Sequence, residues 1–205
     1  MYLVKSPGIV KKYYPRLIWD IPNDENKIFL TFDDGPAPEI TEWVLDVLAK
    51  YKIRATFFCL GCNTDQNTGI YLKIINSGHA VGNHSYHHIN GWDTNDEKYL
   101  SDIKKTNELL NAKLFRPPYG RIKKSQISAL IDDYKLIMWD VLSGDFDSKI
   151  TPEKCYKNVI KNTKSGSVIV FHDSLKASEN LKYALPKAIA YLLEQGFKFD
   201  VIPED

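Results

Sequence analysis

The sequence predicts a single α/β domain built as a barrel of parallel strands. Three observations lead there. Short apolar runs alternate with stretches of helical spacing along the chain, the pattern of parallel strands joined by crossover helices. Residues with reactive side chains, namely Asp33, Asp34, His84, Arg116, Asp145 and His172, fall at or just past the C-terminal ends of different strands. Barrel enzymes collect their sites on that one rim. An open doubly wound sheet fits the alternation equally well, but its Gly-rich phosphate turn is missing here.

The elements follow in order. Residues 1–26 are rich in Tyr, Pro and Trp without a clear period, and are expected to lie extended over the barrel. Residues 27–32 form a first apolar strand, stopped by Gly35 and Pro36. A helix spans 39–51, with Ile40, Val44, Leu45, Val47 and Leu48 on one stripe. A Thr- and Phe-rich strand at 55–60 leads to a polar loop at 61–67. A helix at 69–76 closes at Ser77-Gly78, and a short strand follows at 80–82. Residues 95–111 have helical spacing at Ile103, Leu109 and Leu110. A fourth strand at 114–116 is halted by Pro117-Pro118. Residues 125–133 are helical and 136–139 form a fifth strand. Pro152 opens a helix at 152–162, as first-turn prolines do. A wholly apolar strand at 168–171, a helix at 180–194 with Leu181, Leu185, Ile189 and Leu192 inward, and a seventh strand at 197–202 complete the chain. No internal repeat, low-complexity tract or linker marks a boundary.

Composition narrows the function. A chain of 205 residues with 43% hydrophobic and 26% charged residues suits one globular domain with a sizeable core. A net charge of +1 gives no electrostatic case for nucleic acid or an anionic membrane surface. No stretch approaches the ~20 apolar residues of a membrane span. The first twenty residues scatter Lys5, Lys11, Lys12 and Arg16 among aromatics and lack the apolar core of a secretory signal. The compartment therefore stays open between cytoplasmic and exported. Three cysteines make no disulfide framework. Cys59 and Cys62 have redox-motif spacing, but they close a strand rather than open a helix and are read as structural, as is His79.

Five short stretches carry chemistry. In Thr31-Phe32-Asp33-Asp34-Gly35-Pro36 two adjacent carboxylates end a strand, and a turn beginning at Gly35 brings both to one rim. Carboxylates held that close resist joint ionisation unless a cation or an Arg is near. In His84-Ser85-Tyr86-His87-His88 three of the five histidines cluster. His84 and His88 share a face if the loop makes a helical turn, and His84 with His87 is the alternative pair. Two imidazoles and one carboxylate are a common set for Zn²⁺ or another divalent transition metal. Arg116-Pro117-Pro118-Tyr119-Gly120 places at a strand end an Arg able to orient and ionise a carboxylate such as Asp33. His172, after the apolar run 168–171, suits proton transfer near neutral pH. Asp145 and Phe146 offer an acid to orient that His and an aromatic groove wall.

Together these stretches resemble the motifs of the polysaccharide deacetylase family, metal-dependent carbohydrate esterases related to the nodulation-factor deacetylases. The resemblance runs from about residue 27 to the C-terminus, with the motifs in family order. It implies a distorted (β/α)7 TIM-like barrel. It implies Asp33 as catalytic base; Asp34, His84 and His88 as metal ligands, with His87 outside the shell; Arg116 as the residue orienting the base; and His172 as general acid paired with Asp145. The Tyr119 backbone N–H is expected to help bind the oxyanion, with Pro118 and Phe146 beside the substrate. The fourth motif departs from the family pattern: Leu142 stands at its first acid position and Phe146 replaces a Trp, which bears on the groove wall and the substrate. The implied reaction is removal of acetyl groups from an N-acetylated sugar of a peptidoglycan- or chitin-like glycan. The implied cofactor is Zn²⁺ first, then Co²⁺, Ni²⁺ or Mn²⁺. A monomer acting on an acetylated carbohydrate is expected. The alternatives are an O-acetyl (xylan-type) esterase, a deacetylase of a small or lipid-linked amino sugar, and an inactive carbohydrate-binding domain.

Overall fold

Strand β1, Lys27–Asp33, is buried from its second residue on and sits at the centre of the sheet. A computed structural model describes residues 2–204. The other strands are β2 (Thr56–Cys59), β3 (Ala80–Asn83), β4 (Leu114–Phe115), β5 (Lys135–Leu136), β6 (Val141–Leu142), β7 (Val168–His172) and β8 (Lys198–Asp200). They run in the order β5-β4-β3-β2-β1-β7-β6, and every pairing is parallel. β7 flanks β1 from Phe29 to Asp33. On the other edge β8 pairs with the first half of β1 and β2 with the second. Parallel strands need crossovers, and these are supplied by α2 (Ile40–Tyr51), α4 (Thr68–Asn76), α5 (Asp96–Leu110), α6 (Lys124–Leu130), α7 (Pro152–Asn162) and α8 (Ser178–Glu194), with α1 (Gly8–Tyr13) and α3 (Gly61–Gln66) as short additions.

Alternation along β1 divides the interior. Ile28, Leu30 and Phe32 join the large cluster packed under the helices, with Val44 and Leu48 of α2 and Leu181, Leu185 and Ile189 of α8. Phe29 faces the barrel axis with Phe58, Leu114, Ile137, Val168 and Ile202. Thr31 and Asp33 therefore share that inner face. The reading of an α/β barrel is borne out. In α5 the buried stripe is Tyr99, Ile103, Thr106 and Leu110; Leu109, expected inward, lies off that stripe and is exposed.

Other expectations are corrected. The strand expected at 136–139 ends at Leu136, and a separate β6 starts at Val141; the continuous path holds the expected seven strands, with β8 paired to β1 beside it. Between β5 and β6 the carbonyls of Ile137 and Met138 accept hydrogen bonds from the Arg116 guanidinium (3.3 and 3.0 Å). The N–H groups of the same two residues donate to the carbonyls of Phe115 (2.8 Å) and Ile18 (2.7 Å). The loop expected at 61–67 contains α3, whose first amides donate to the carbonyls of Ser85 and Tyr86 (3.0 and 3.2 Å).

The N-terminal segment closes the distorted side of the barrel. It carries α1 where only extended chain was expected. Ile18 bridges Ile137, Lys5 bridges Val141 and Asp20 bridges Ser167, so the segment spans the opening between β5 and β6. Its anchor is Asp140, fully buried in that opening. The carboxylate takes Lys5 Nζ (2.5 Å), Lys11 Nζ (2.6 Å) and the Ser167 hydroxyl (2.6 Å). Burial pushes its pKa up, but the two ammonium groups and the hydroxyl outweigh that and hold it below its ordinary 3.8. Asp140→Ala should cost about 3 kcal/mol in urea unfolding, since it leaves the cations without their partner. The stabilisation is present above the ordinary carboxyl pKa and should fade as pH falls through the lower folded value.

Candidate active site

The site starts at the end of β1. Asp33 is buried and points to the barrel axis, where Arg116 Nη1 donates to its Oδ1 at 2.5 Å. The same nitrogen donates to Thr31 Oγ at 2.7 Å, and the guanidinium lies over the Phe58 ring, 4.0 Å from its centroid. Arg116 is wholly buried. Burial works against its charge, and Asp33 opposes that. Asp34 leaves the strand with φ 79°, so the turn begins one residue before the expected Gly35. Asn63 Nδ2 secures this backbone by donating to the Asp34 carbonyl (2.7 Å). Gly35 follows because nothing larger fits: a Cβ there would sit 2.0 Å from Asp173 Oδ2. Asp173, next after His172, accepts the Gly35 N–H (3.1 Å) and the Thr41 hydroxyl (2.5 Å).

The histidine loop reaches the same point by another route. It forms no helical turn; instead Ser85 and His88 adopt left-handed backbone, φ 64° and 55°. Asn83 caps the loop through Oδ1, which accepts the Ser85 N–H (2.8 Å). Asp102 of α5 accepts the N–H groups of Tyr86 and His87 (2.8 and 3.0 Å). It also takes the His87 ring at 2.6 Å. His87 is thereby turned away. His84 Nδ1 donates to the Arg116 carbonyl (2.7 Å), which leaves Nε2 as the free acceptor.

One ligand atom each from Asp34, His84 and His88 lies within 4.8 Å of the others. Asp34 Oδ1 is 3.2 Å from His88 Nε2 and 3.7 Å from His84 Nε2. That oxygen is buried and has no hydrogen-bond partner among the described residues. Burial, reinforced by His88, pushes His84 down to about 3. Burial also lowers His88, against the pull of Asp34 and Asp33. Neutral imidazoles and an unsatisfied carboxylate oxygen form a donor set suited to a divalent transition metal.

On β7, His172 is the register partner of Asp33. Its Nδ1 lies 2.8 Å from Asp145 Oδ1 and its backbone N–H donates to Asp145 Oδ2 (2.7 Å). Asp145 is held in turn by the Ser143 hydroxyl (2.9 Å) and the Phe146 N–H (3.1 Å). Burial alone would lower His172, but Asp145, with Asp34 and Asp33, lifts it to about 9. Asp33, Asp34, His84, His88 and His172 all line one cleft of about 770 Å³. Tyr119 and Phe146 line it too, with Tyr119 largely exposed and its backbone at φ 61°. Pro118 is buried in the turn below, and Pro117 faces the cleft in its place.

Sequence reasoning gave no role to Asp102, Asp173, Asn63 or Asn83. The first three sit on elements remote in sequence from the loops they hold, where no local spacing signals them, whereas Asn83 directly precedes the loop it caps.

Residues 20–133 match the polysaccharide deacetylase family model. A peptidoglycan-N-acetylglucosamine deacetylase of Bacillus cereus is 34% identical over 193 residues, which cover 91% of each chain. The chain belongs to the polysaccharide deacetylase family. Chitin deacetylase 2 of Saccharomyces cerevisiae is 33% identical over 178 residues, covering 80% of this chain and 55% of that protein. A crystal structure of a peptidoglycan N-acetylglucosamine deacetylase bound to 4-naphthalen-1-yl-N-oxidanyl-benzamide superposes with a TM-score of 0.88 at 33% identity, covering 97% of this chain and 95% of the other. A family pseudoenzyme from Bacillus anthracis has a TM-score of 0.81 at 26% identity, covering 90% of this chain and 66% of the other. The expected family and barrel are thus borne out. Within this family site, His88→Ala should abolish Zn²⁺ binding while His87→Ala leaves it unchanged. Isothermal titration of both variants checks this, and the reverse pattern would reassign the ligands.

Proposed function

We propose that the chain is a metal-dependent N-deacetylase, hydrolysing the acetamido group of an N-acetylated sugar in a peptidoglycan- or chitin-like glycan. One observation supports this above the others. An Arg-held carboxylate and an Asp-held imidazole are strand neighbours in the same cleft as a three-donor cluster.

Asp34, His84 and His88 would hold the cation, with Zn²⁺ the first choice for two imidazoles and a carboxylate. Such a cation supplies positive charge that polarises the acetyl carbonyl and acidifies water at the site. Asp33 accepts the proton of the attacking water. Its hydrogen-bonded ion pair with Arg116 holds it aimed, and the Thr31 hydroxyl steadies the guanidinium. The new C–O bond forms as that proton leaves. The Tyr119 N–H is the proposed backbone donor to the oxyanion, and such a donor is worth about 10²–10³ in rate. His172, lifted to about 9, is protonated at neutral pH. It hands its proton to the sugar nitrogen as the C–N bond breaks, releasing acetate and a free amine.

The same base and ligands would serve an O-acetyl esterase. The amide reading is favoured because an amine leaves only when protonated, and the Asp145–His172 pair is built to supply that proton. An inactive binding domain is a poorer fit, since base, ligands and acid are all present and paired.

Asp33→Asn should retain Zn²⁺ but lose about 10²–10⁴ in turnover, read as acetate release from acetylated chito-oligosaccharides and peptidoglycan fragments; unchanged turnover would remove Asp33 as base. Chelator should stop the wild-type reaction, and Zn²⁺ should restore it. His172→Ala should impair amide cleavage far more than cleavage of an activated acetate ester. Equal losses on the two substrates would argue against its acid role.

A further inference from the structure

The N-terminal segment does more than seal the barrel. Tyr2, Leu3, Ser6, Pro7 and Val10 line the cleft itself. The segment is pinned there by backbone bonds to β6 and its approach: Leu142 N–H donates to the Val4 carbonyl (2.8 Å), and Ser6 N–H to the Asp140 carbonyl (3.0 Å). Tyr2 is thereby delivered to Phe146, with ring centroids 5.0 Å apart at 56°. Phe146 in turn meets His172 edge-on, 5.0 Å apart at 73°. The fit around Tyr2 is close. Gly144 holds φ 80°, and a Cβ there would lie 2.7 Å from the Tyr2 hydroxyl.

His172 is held at one edge by Asp145. A single hydrogen bond at Nδ1 fixes the tautomer but leaves the ring free to tilt about that bond. Packing against the Phe146 ring limits that freedom, and Phe146 is itself packed by the Tyr2 ring and by the Lys176 ammonium, 6.0 Å from its centroid. Tyr2 is the aromatic part of that support. Leu142, through its backbone N–H, and Phe146, through its ring, are among the positions the segment engages.

We propose that Tyr2 is a positioning residue for the reaction: through Phe146 it holds the His172 ring so that its free nitrogen meets the leaving group. The N-terminal segment is then part of the active site. This rests on His172 being the general acid. An ill-placed acid slows the step that needs a proton and spares the step that does not. Amide cleavage should therefore suffer and activated-ester cleavage should not.

The test uses the full chain, loaded with Zn²⁺, as wild type, Tyr2→Ala and Tyr2→Phe. Substrates are an N-acetylated chito-oligosaccharide and p-nitrophenyl acetate. Tyr2→Ala should lower kcat on the amide by about tenfold, the scale of a small misplacement of a reacting group, with KM and ester turnover little changed. Tyr2→Phe, which keeps the ring, should restore wild-type rates. Equal losses on amide and ester, a loss carried by KM, or no rescue by Phe would overturn the proposal. A crystal structure of Tyr2→Ala decides the packing independently of turnover: Phe146 and His172 should shift, and unmoved rings would overturn it. Failure of the wild type to release acetate from any acetylated sugar would instead count against the deacetylase reading.

Discussion

The ion pair between Arg116 and Asp33 is the constraint around which the molecule is arranged. A guanidinium with no solvent access, set inside a barrel, is costly unless nearly every N–H finds an acceptor. Here the acceptors come from one strand and the extension of another. Thr31 and Asp33 belong to β1, and the carbonyls of Ile137 and Met138 follow β5, while the Arg itself follows β4. Satisfying one cation therefore fixes the relative placement of three parts of the sheet. Past Leu136 the Ile137 N–H still donates to the Phe115 carbonyl, and the Met138 N–H turns to the Ile18 carbonyl of the N-terminal segment, so the residues that accept from Arg116 are also those on which that segment docks.

The pair also separates two carboxylates that are adjacent in sequence. Side by side at a strand end, Asp33 and Asp34 would suppress each other's ionisation. The chain resolves this by giving them different partners. Asp33 continues the strand alternation inward to the guanidinium. Asp34, turned by a left-handed backbone, faces the histidine loop with an oxygen that accepts no hydrogen bond among the described residues. Neutral histidines offer lone pairs rather than charge, so the cation proposed for this site is what would compensate Asp34. The two acids thus have different surroundings, Asp33 beside a protein cation and Asp34 beside two imidazoles.

The sequence shows the parts of the fold that depend on local periodicity. The helical stripes at 40–48 and 181–192, the apolar strands at 27–32 and 168–171, and the strand-end placement of reactive residues all follow from spacing within one element. What it concealed depends on partners far along the chain. Residues 136–139 read as one strand, but the Met138 and Leu142 N–H groups donate to Ile18 and Val4 of the N-terminal segment, more than a hundred residues earlier. The apparent loop at 61–67 becomes helical because the Ser85 and Tyr86 carbonyls receive its first amides. The geometry of the histidine loop was misjudged for the same reason: spacing of i and i+4 suggested a helical turn. The convergence instead comes from left-handed residues braced by Asn83 and Asp102. Asp33, Asp34 and His84 could be found from sequence because motif residues sit together. Asp102 and Asp173 could not, because a buried carboxylate on a neighbouring element leaves no local pattern.

Those bracing residues explain how the site tolerates its own backbone. Asp34, Ser85, His88 and Tyr119 all have positive φ without being glycine, and all four sit in the candidate site or its supporting loops. Each such residue costs on the order of 1–3 kcal/mol and persists only where its surroundings over-determine it. The surroundings are visible for the first three. Asn63 and Asp173 grip the turn at Asp34 and Gly35. Asn83 and Asp102 grip the loop from Ser85 to His88. The strain is tolerated because it aims ligand atoms from two unrelated loops at one point, which relaxed loops would leave dispersed. A site of this kind is stable only as a unit. Its donor atoms depend on buried polar braces, and the braces on the helices and strands that carry them: Asn63 on α3, Asn83 on β3, Asp102 on α5 and Asp173 just past β7.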